Sequence, residues 1–105
     1  MTVSRLELLQ KLVEKDPSDS FSKYAIGLEY QSMNELEKAR DVLEELRNSD
    51  PAYHATYYQL GKIYQQLGDE QMAKKIYEQG LYITTGQGEH HAKSELEQAI
   101  NELLI

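Results

Sequence analysis

The chain has no cysteine and no tryptophan, one phenylalanine and two prolines among its 105 residues. Without cysteine, neither disulfides nor thiolate–metal sites can hold it together, so packing must supply the stability. No stretch approaches the roughly 18 consecutive apolar residues of a membrane span. Arg5, Glu7 and Lys11 interrupt the start before any apolar run of the kind a secretory leader needs, and a soluble cytoplasmic protein is expected. Basic residues are few, eleven against eighteen acidic ones, for a formal charge of −7. That balance opposes the phosphate neutralisation on which nucleic-acid affinity rests, and it favours neutral or basic protein partners. Catalytic signatures are missing as well. There is no thiol nucleophile, no glycine-rich phosphate loop beside a basic residue, and no histidine set against a carboxylate in a known motif, so neither enzymatic activity nor a cofactor is expected.

What is present is helical periodicity. Leu6, Leu9, Leu12 and Val13 recur at helical intervals and predict a first helix over 4–15, with Ser4 and Glu7 at capping-box spacing. Pro17 stops it, because proline disfavours the helical conformation in the residue before it. A second helix is predicted from Asp19 or Ser20 to Met33 and a third from Glu35 to Asn48, closed by Asp50-Pro51. Residues 53–67 and 69–83 repeat the pair. Thr84-Thr85-Gly86-Gln87-Gly88 reads as a loop by composition. Glu89 to Leu104 then forms a last helix with Ala92, Leu96, Ala99, Ile100 and Leu103 on one face and Lys93, Glu95, Glu97, Gln98 and Glu102 outward.

Setting 18–51 over 52–85 shows why the pairs resemble each other, since the two segments repeat at a spacing of 34 residues. Tyr24 falls on Tyr58, Gly27 on Gly61, Tyr30 on Tyr64, Gln31 on Gln65, Ala39 on Ala73 and Glu44 on Glu78. Asn34 falls on Gly68, the two residue types that best tolerate the left-handed conformation closing a helix. The repeat extends backwards, with Leu9 and Leu12 anticipating Leu43 and Leu46, so 4–16 is a half repeat in front and 89–105 a capping helix behind. A period of this size built from helix pairs is the signature of a solenoid in which each unit buries its apolar face against its neighbours.

These residues resemble the tetratricopeptide repeat family. Its 34-residue unit places a small residue after an apolar one in the first helix and an aromatic three later. Here those are Ile26-Gly27 with Tyr30, and Leu60-Gly61 with Tyr64. The small residue of the second helix falls on Ala39 and Ala73, the bulky one on Leu43 and Tyr77, and the terminal proline on Pro51. Departures are Lys23 and Tyr57 at the tryptophan position, Leu46 and Gly80 at the late alanine, and Thr85 for the second proline. The resemblance implies an all-α superhelix of six helices and a protein–protein interaction module.

It also implies a concave groove at Phe21, Tyr24, Leu28 and Gln31 in the first copy and Ala55, Tyr58, Lys62 and Gln65 in the second. Glu89, Ala92 and Leu96 would close its far end. Such a strip suits an extended peptide or a helix of another protein. The bland alternative makes Phe21, Tyr24 and Leu28 ordinary core residues, and a further alternative is a homo-oligomer packed through groove or edge helices. The family's clamp for acidic carboxy-terminal peptides is not expected, because its positions hold Tyr24, Leu28, Gln59, Glu89 and Lys93, of which only Lys93 carries the needed charge. His90 and His91 point about 100° apart on a helix and read as a solvated helix start rather than a metal site.

Overall fold

The computed structural model describes residues 3–105. Six helices follow one another: α1 (Arg5–Lys15), α2 (Ser20–Ser32), α3 (Leu36–Ser49), α4 (Ala55–Gln66), α5 (Glu70–Gln87) and α6 (His90–Leu103), with no strand among the described residues. Each packs on the next, and α2 also meets α4 while α4 meets α6. The result is a stack of helical hairpins 48 × 29 × 20 Å in extent.

The caps follow local chemistry. Ser4 Oγ accepts the Glu7 amide at 3.1 Å, Asp19 accepts the Ser22 amide at 3.0 Å, and Asp69 accepts that of Met72 at 3.1 Å. Each thereby satisfies an amide that has no partner inside its own helix. Asn34 (φ 59°) and Gly68 (φ 83°) both adopt the left-handed conformation, as their shared place in the repeat predicts. There the Glu35 amide donates to the Tyr30 carbonyl at 2.9 Å and the Asp69 amide to that of Tyr64 at 2.8 Å, closing α2 and α4 in the same way.

The main core joins α3, α4, α5 and α6 through Leu43, Leu46, Leu60, Ile63, Ile76, Tyr77, Leu96 and their neighbours, all fully or almost fully buried. A smaller cluster of Leu9, Ala25 and Ile26, with Leu6 and Val13 against it, ties α1 to α2. Close helix crossings occur where the repeat puts glycine. A Cβ on Gly27 would lie 2.6 Å from Leu43 Cδ2, and one on Gly61 would overlap the Tyr77 ring. Space left by the missing side chain is filled by the bulky residue opposite.

Two expectations change. Thr84 to Gln87 is helix, not loop. Proline ends α3 at Ser49, but Thr84-Thr85 stand where the first repeat has Asp50-Pro51, so nothing stops α5 until Gly88 (φ 70°). Thr84 is fully buried, and its hydroxyl donates within its own helix, 2.9 Å from the Gly80 carbonyl and 3.2 Å from that of Leu81. Nor do the apolar residues of α1 form a single buried stripe. Leu9 is buried, but Leu12 is 49% exposed, whereas its counterpart Leu46 is fully buried.

Candidate protein-binding cleft

The eight groove positions divide into three groups. Tyr24, Ala55 and Tyr58 wall a cleft of about 310 Å³ between α2, α4 and α6, together with His54, Gln59, Glu89, His91, Ala92, Glu95 and Leu96. Beyond Tyr58 it continues into a smaller hollow of about 160 Å³ lined by Lys62, Glu95, Gln98 and Glu102. Phe21, Leu28 and Gln31 lie outside both. Phe21 is 65% exposed and Leu28 half-buried at the open side of α2, so neither is a core residue. Gln31 instead links the two repeats, its Nε2 donating to Gln66 Oε1 at 3.0 Å. Gln65 is committed inward: its Oε1 accepts the hydroxyl of the buried Tyr77.

The tyrosine walls are fixed from behind. Tyr24 packs on Tyr53 with ring centroids 5.8 Å apart, and Tyr58 on Tyr77 at 6.3 Å. Burial raises the pKa of Tyr24, so at neutral pH its phenol is a protonated hydrogen-bond donor. Lys62 Nζ lies 5.3 Å from the centre of the Tyr58 ring, a cation–π contact on a half-buried face. The remaining charge is carboxylate. Glu89 and Glu95 rim the cleft and Glu102 the hollow beyond it, with His91 Nε2 3.5 Å from Glu95 Oε1. The space is therefore mixed, with aromatic and apolar groups interleaved with Gln59 and two histidines, and carboxylates along its α6 rim.

His54, His91 and Glu95 were not among the groove positions the sequence suggested. Glu95 stands four residues after His91, a spacing that puts both on one helix face. That signal was available, but which face α6 turns to α4 is set by packing between helices and not by the spacing within α6. No group of three metal-ligating residues converges among the described residues, and no helix is long and apolar enough to cross a membrane.

Known proteins share the fold. The tetratricopeptide repeat profile matches residues 22–53 and 54–85, more than half of the chain, which belongs to that family. A crystal structure of a tetratricopeptide repeat domain protein from Salinibacter ruber is 34% identical, covering 81% of this chain and 94% of that one with a TM-score of 0.78. The solution structure of a Salinibacter ruber tetratricopeptide repeat domain protein gives 35% identity, 84% and 89% coverage, and a TM-score of 0.80. A solution structure from Bordetella parapertussis shares the fold at 22% identity, with a TM-score of 0.84 over 98% of this chain and 90% of that one. No curated protein matches the sequence. The fold is that of a general protein–protein interaction module.

Proposed function

We propose that this protein captures a segment of a partner protein in the cleft between α2, α4 and α6, and that the segment offers a lysine or arginine to the α6 rim. One observation carries the reading: the repeat-equivalent tyrosines Tyr24 and Tyr58, half-buried against the core, both line a space edged by Glu89 and Glu95. Aromatic walls supply contact area at small cost in side-chain entropy, and carboxylates at a half-desolvated rim select a cation. The ring of Tyr58 adds a second attraction for positive charge.

Selection from a random peptide library on immobilised chain tests this. Retained sequences should be enriched in lysine or arginine beside an apolar residue. Glu95→Lys should abolish the preference for lysine or arginine and, because Glu95 is exposed, leave the melting temperature within about 2 °C. Tyr58→Glu should abolish the apolar preference and also lower stability, because Tyr58 is half-buried against Tyr77. Identical sequence profiles for wild type and both variants would remove the cleft from the function.

A further inference from the structure

The open end of the solenoid is built like a seat. Wherever the chain has a complete hairpin, a first helix lies across the second helix of its own pair and the first helix of the next: α2 lies on α3 and α4, and α4 on α5 and α6. Counting back one repeat, α1 is a second helix, and α2 is the next first helix. The helix that would lie across those two is not among the described ones. What it would cover stays uncovered. Leu12 is 49% exposed and Leu8 53%, with Phe21 on α2 at 65%, whereas the leucines' counterparts one repeat later, Leu46 and Val42, are fully buried and half-buried.

The repeat also specifies the chemistry of the occupant. In the first hairpin Lys23 Nζ of α2 is 3.5 Å from Glu45 Oε1 of α3, and Gly27 fits against Leu43. Val42, from α3, packs against the cluster containing Ile26. On α1 the counterparts of Glu45, Leu43 and Val42 are Lys11, Leu9 and Leu8. The apolar and small partners therefore remain in demand, while the charge requirement is reversed. Arg5 is paired with Glu29 of α2 at 3.3 Å, and Lys11 and Lys15 flank Leu8 and Leu12, which makes this stretch of the edge basic in a chain of net charge −7.

We propose that the α1–α2 edge binds one amphipathic helix of a partner protein, antiparallel to α1, whose sequence places an acidic residue four positions before a glycine or alanine and an apolar residue immediately before it. A second copy of this chain fits poorly. The exposed residues of α6 are polar, Ser94, Glu97, Gln98 and Asn101 among them, and would be desolvated against Leu8 and Leu12, the exposed Leu104 and Ile105 lying beyond the helix end. Two α1 edges face to face would oppose Lys11 and Lys15 to themselves. The seat is separate from the cleft, sharing none of its lining residues.

The test uses the full chain and a synthetic peptide of its own residues 18–34, the segment that fills the equivalent seat one repeat later. Binding is followed by backbone amide shifts up to about 1 mM peptide, a range that still detects an affinity of about 4 kcal/mol. The Lys23→Glu peptide should bind about tenfold more tightly than the unmodified one, and shifts should centre on α1 and α2. In the Lys11→Glu chain that preference should reverse. A Gly27→Leu peptide, or a Leu12→Asp chain, should lose binding, while Tyr58→Glu should leave it unchanged and so separate this seat from the cleft. No shifts with any peptide, tolerance of Gly27→Leu, or a preference indifferent to Lys11→Glu would overturn the proposal. So would a concentration-dependent rise in mass that Leu12→Asp abolishes, which would make a second copy the occupant.

Discussion

The two repeats reach the same backbone with different distributions of volume. In the first, the stem of Lys23 lies against α3, whose late position is the full-sized Leu46. In the second, Tyr57 takes the lysine's place and Gly80 the leucine's, so closely fitted that a Cβ on Gly80 would overlap Cβ of Tyr57. A large residue has moved from one helix to its partner across the same gap. The other close crossing is filled unequally too, by Leu43 against Gly27 and by the Tyr77 ring against Gly61. What repeats every 34 residues is the close approach of the two helices, while the side chains that fill it differ in size and in the helix that supplies them.

Gly80→Leu should break that comparison most severely. Installing the first repeat's residue in the second forces leucine onto Tyr57 and Leu96 and should cost about 3 kcal/mol in urea denaturation. Pairing it with Tyr57→Lys, which restores the first repeat's combination, should recover more than half of the loss. Recovery stays incomplete because the Tyr57 hydroxyl donates to the Pro51 carbonyl at 2.5 Å, a bond that lysine would not replace in kind.

Next comes the matched pair of alanine substitutions at Gly61 and Gly27. Alanine gains about 1 kcal/mol over glycine inside a helix, and crowding decides the rest. Tyr77 is fully buried and held through its hydroxyl by Gln65, so its ring cannot swing away, and Gly61→Ala should lose about 2 kcal/mol net. At Gly27 the nearest atoms are Leu43 Cδ2 at 2.6 Å and Cγ at 2.8 Å, from a side chain that is also buried but is smaller and, unlike Tyr77, has no hydrogen bond to tether it. Gly27→Ala should fall within about 1 kcal/mol of wild type. Equal losses in the two melts would mean that the crossings are equally rigid.

These exchanges also show where the sequence was legible. Periodicity, the Gly27 and Gly61 register, and the Asn34 and Gly68 turns are local signals, and they led correctly to six helices in a tetratricopeptide stack. Lys23, Leu46, Tyr57 and Gly80 looked like departures when read one position at a time, because their compensation crosses between helices. Composition misled at Thr84–Gly88, where burial of Thr84 and the missing proline extend α5 by a turn. In the groove, Tyr24 and Tyr58 were placed by the repeat itself. Gln65 faces inward because a tyrosine, not a leucine, sits at position 77, which no pattern within its own helix announces.

Alkali should sharpen the contrast further. Burial raises the phenol pKa of Tyr53, Tyr57, Tyr64 and Tyr77 in the second repeat, most strongly for Tyr77, and of Tyr24 in the first. A raised folded-state pKa means that stability is fully present below the ordinary value of about 10 and is lost as pH rises through the folded value. Urea melts at pH 8 and above pH 10 should therefore diverge. Tyr77→Phe should cost about 1 kcal/mol at pH 8 through the lost bond to Gln65, and should flatten the alkaline decline. A decline just as steep in that variant would locate the sensitivity in the other tyrosines.

The smallest expected effect comes from the starts of α2 and α4. Asp19 both caps α2 and accepts the Ser22 hydroxyl at 2.6 Å, but its counterpart 34 residues later is Tyr53, and α4, which starts one position later in the repeat behind His54, has no side-chain cap. The counterpart of Ser22 is Thr56, fully buried, whose hydroxyl has no hydrogen-bond partner among the described residues. One substitution thus explains both the missing cap and the orphaned hydroxyl, while Tyr53 serves instead to support Tyr24 at the cleft. Removing a satisfied hydroxyl and an unsatisfied one should act in opposite directions. Ser22→Ala should lower stability by about 1 kcal/mol, and Thr56→Val, which keeps the shape, should raise it by about 0.5 kcal/mol. If Thr56→Val destabilised the fold instead, its hydroxyl would have to be bonded in solution, and the two helix starts would be alike in energy though not in sequence.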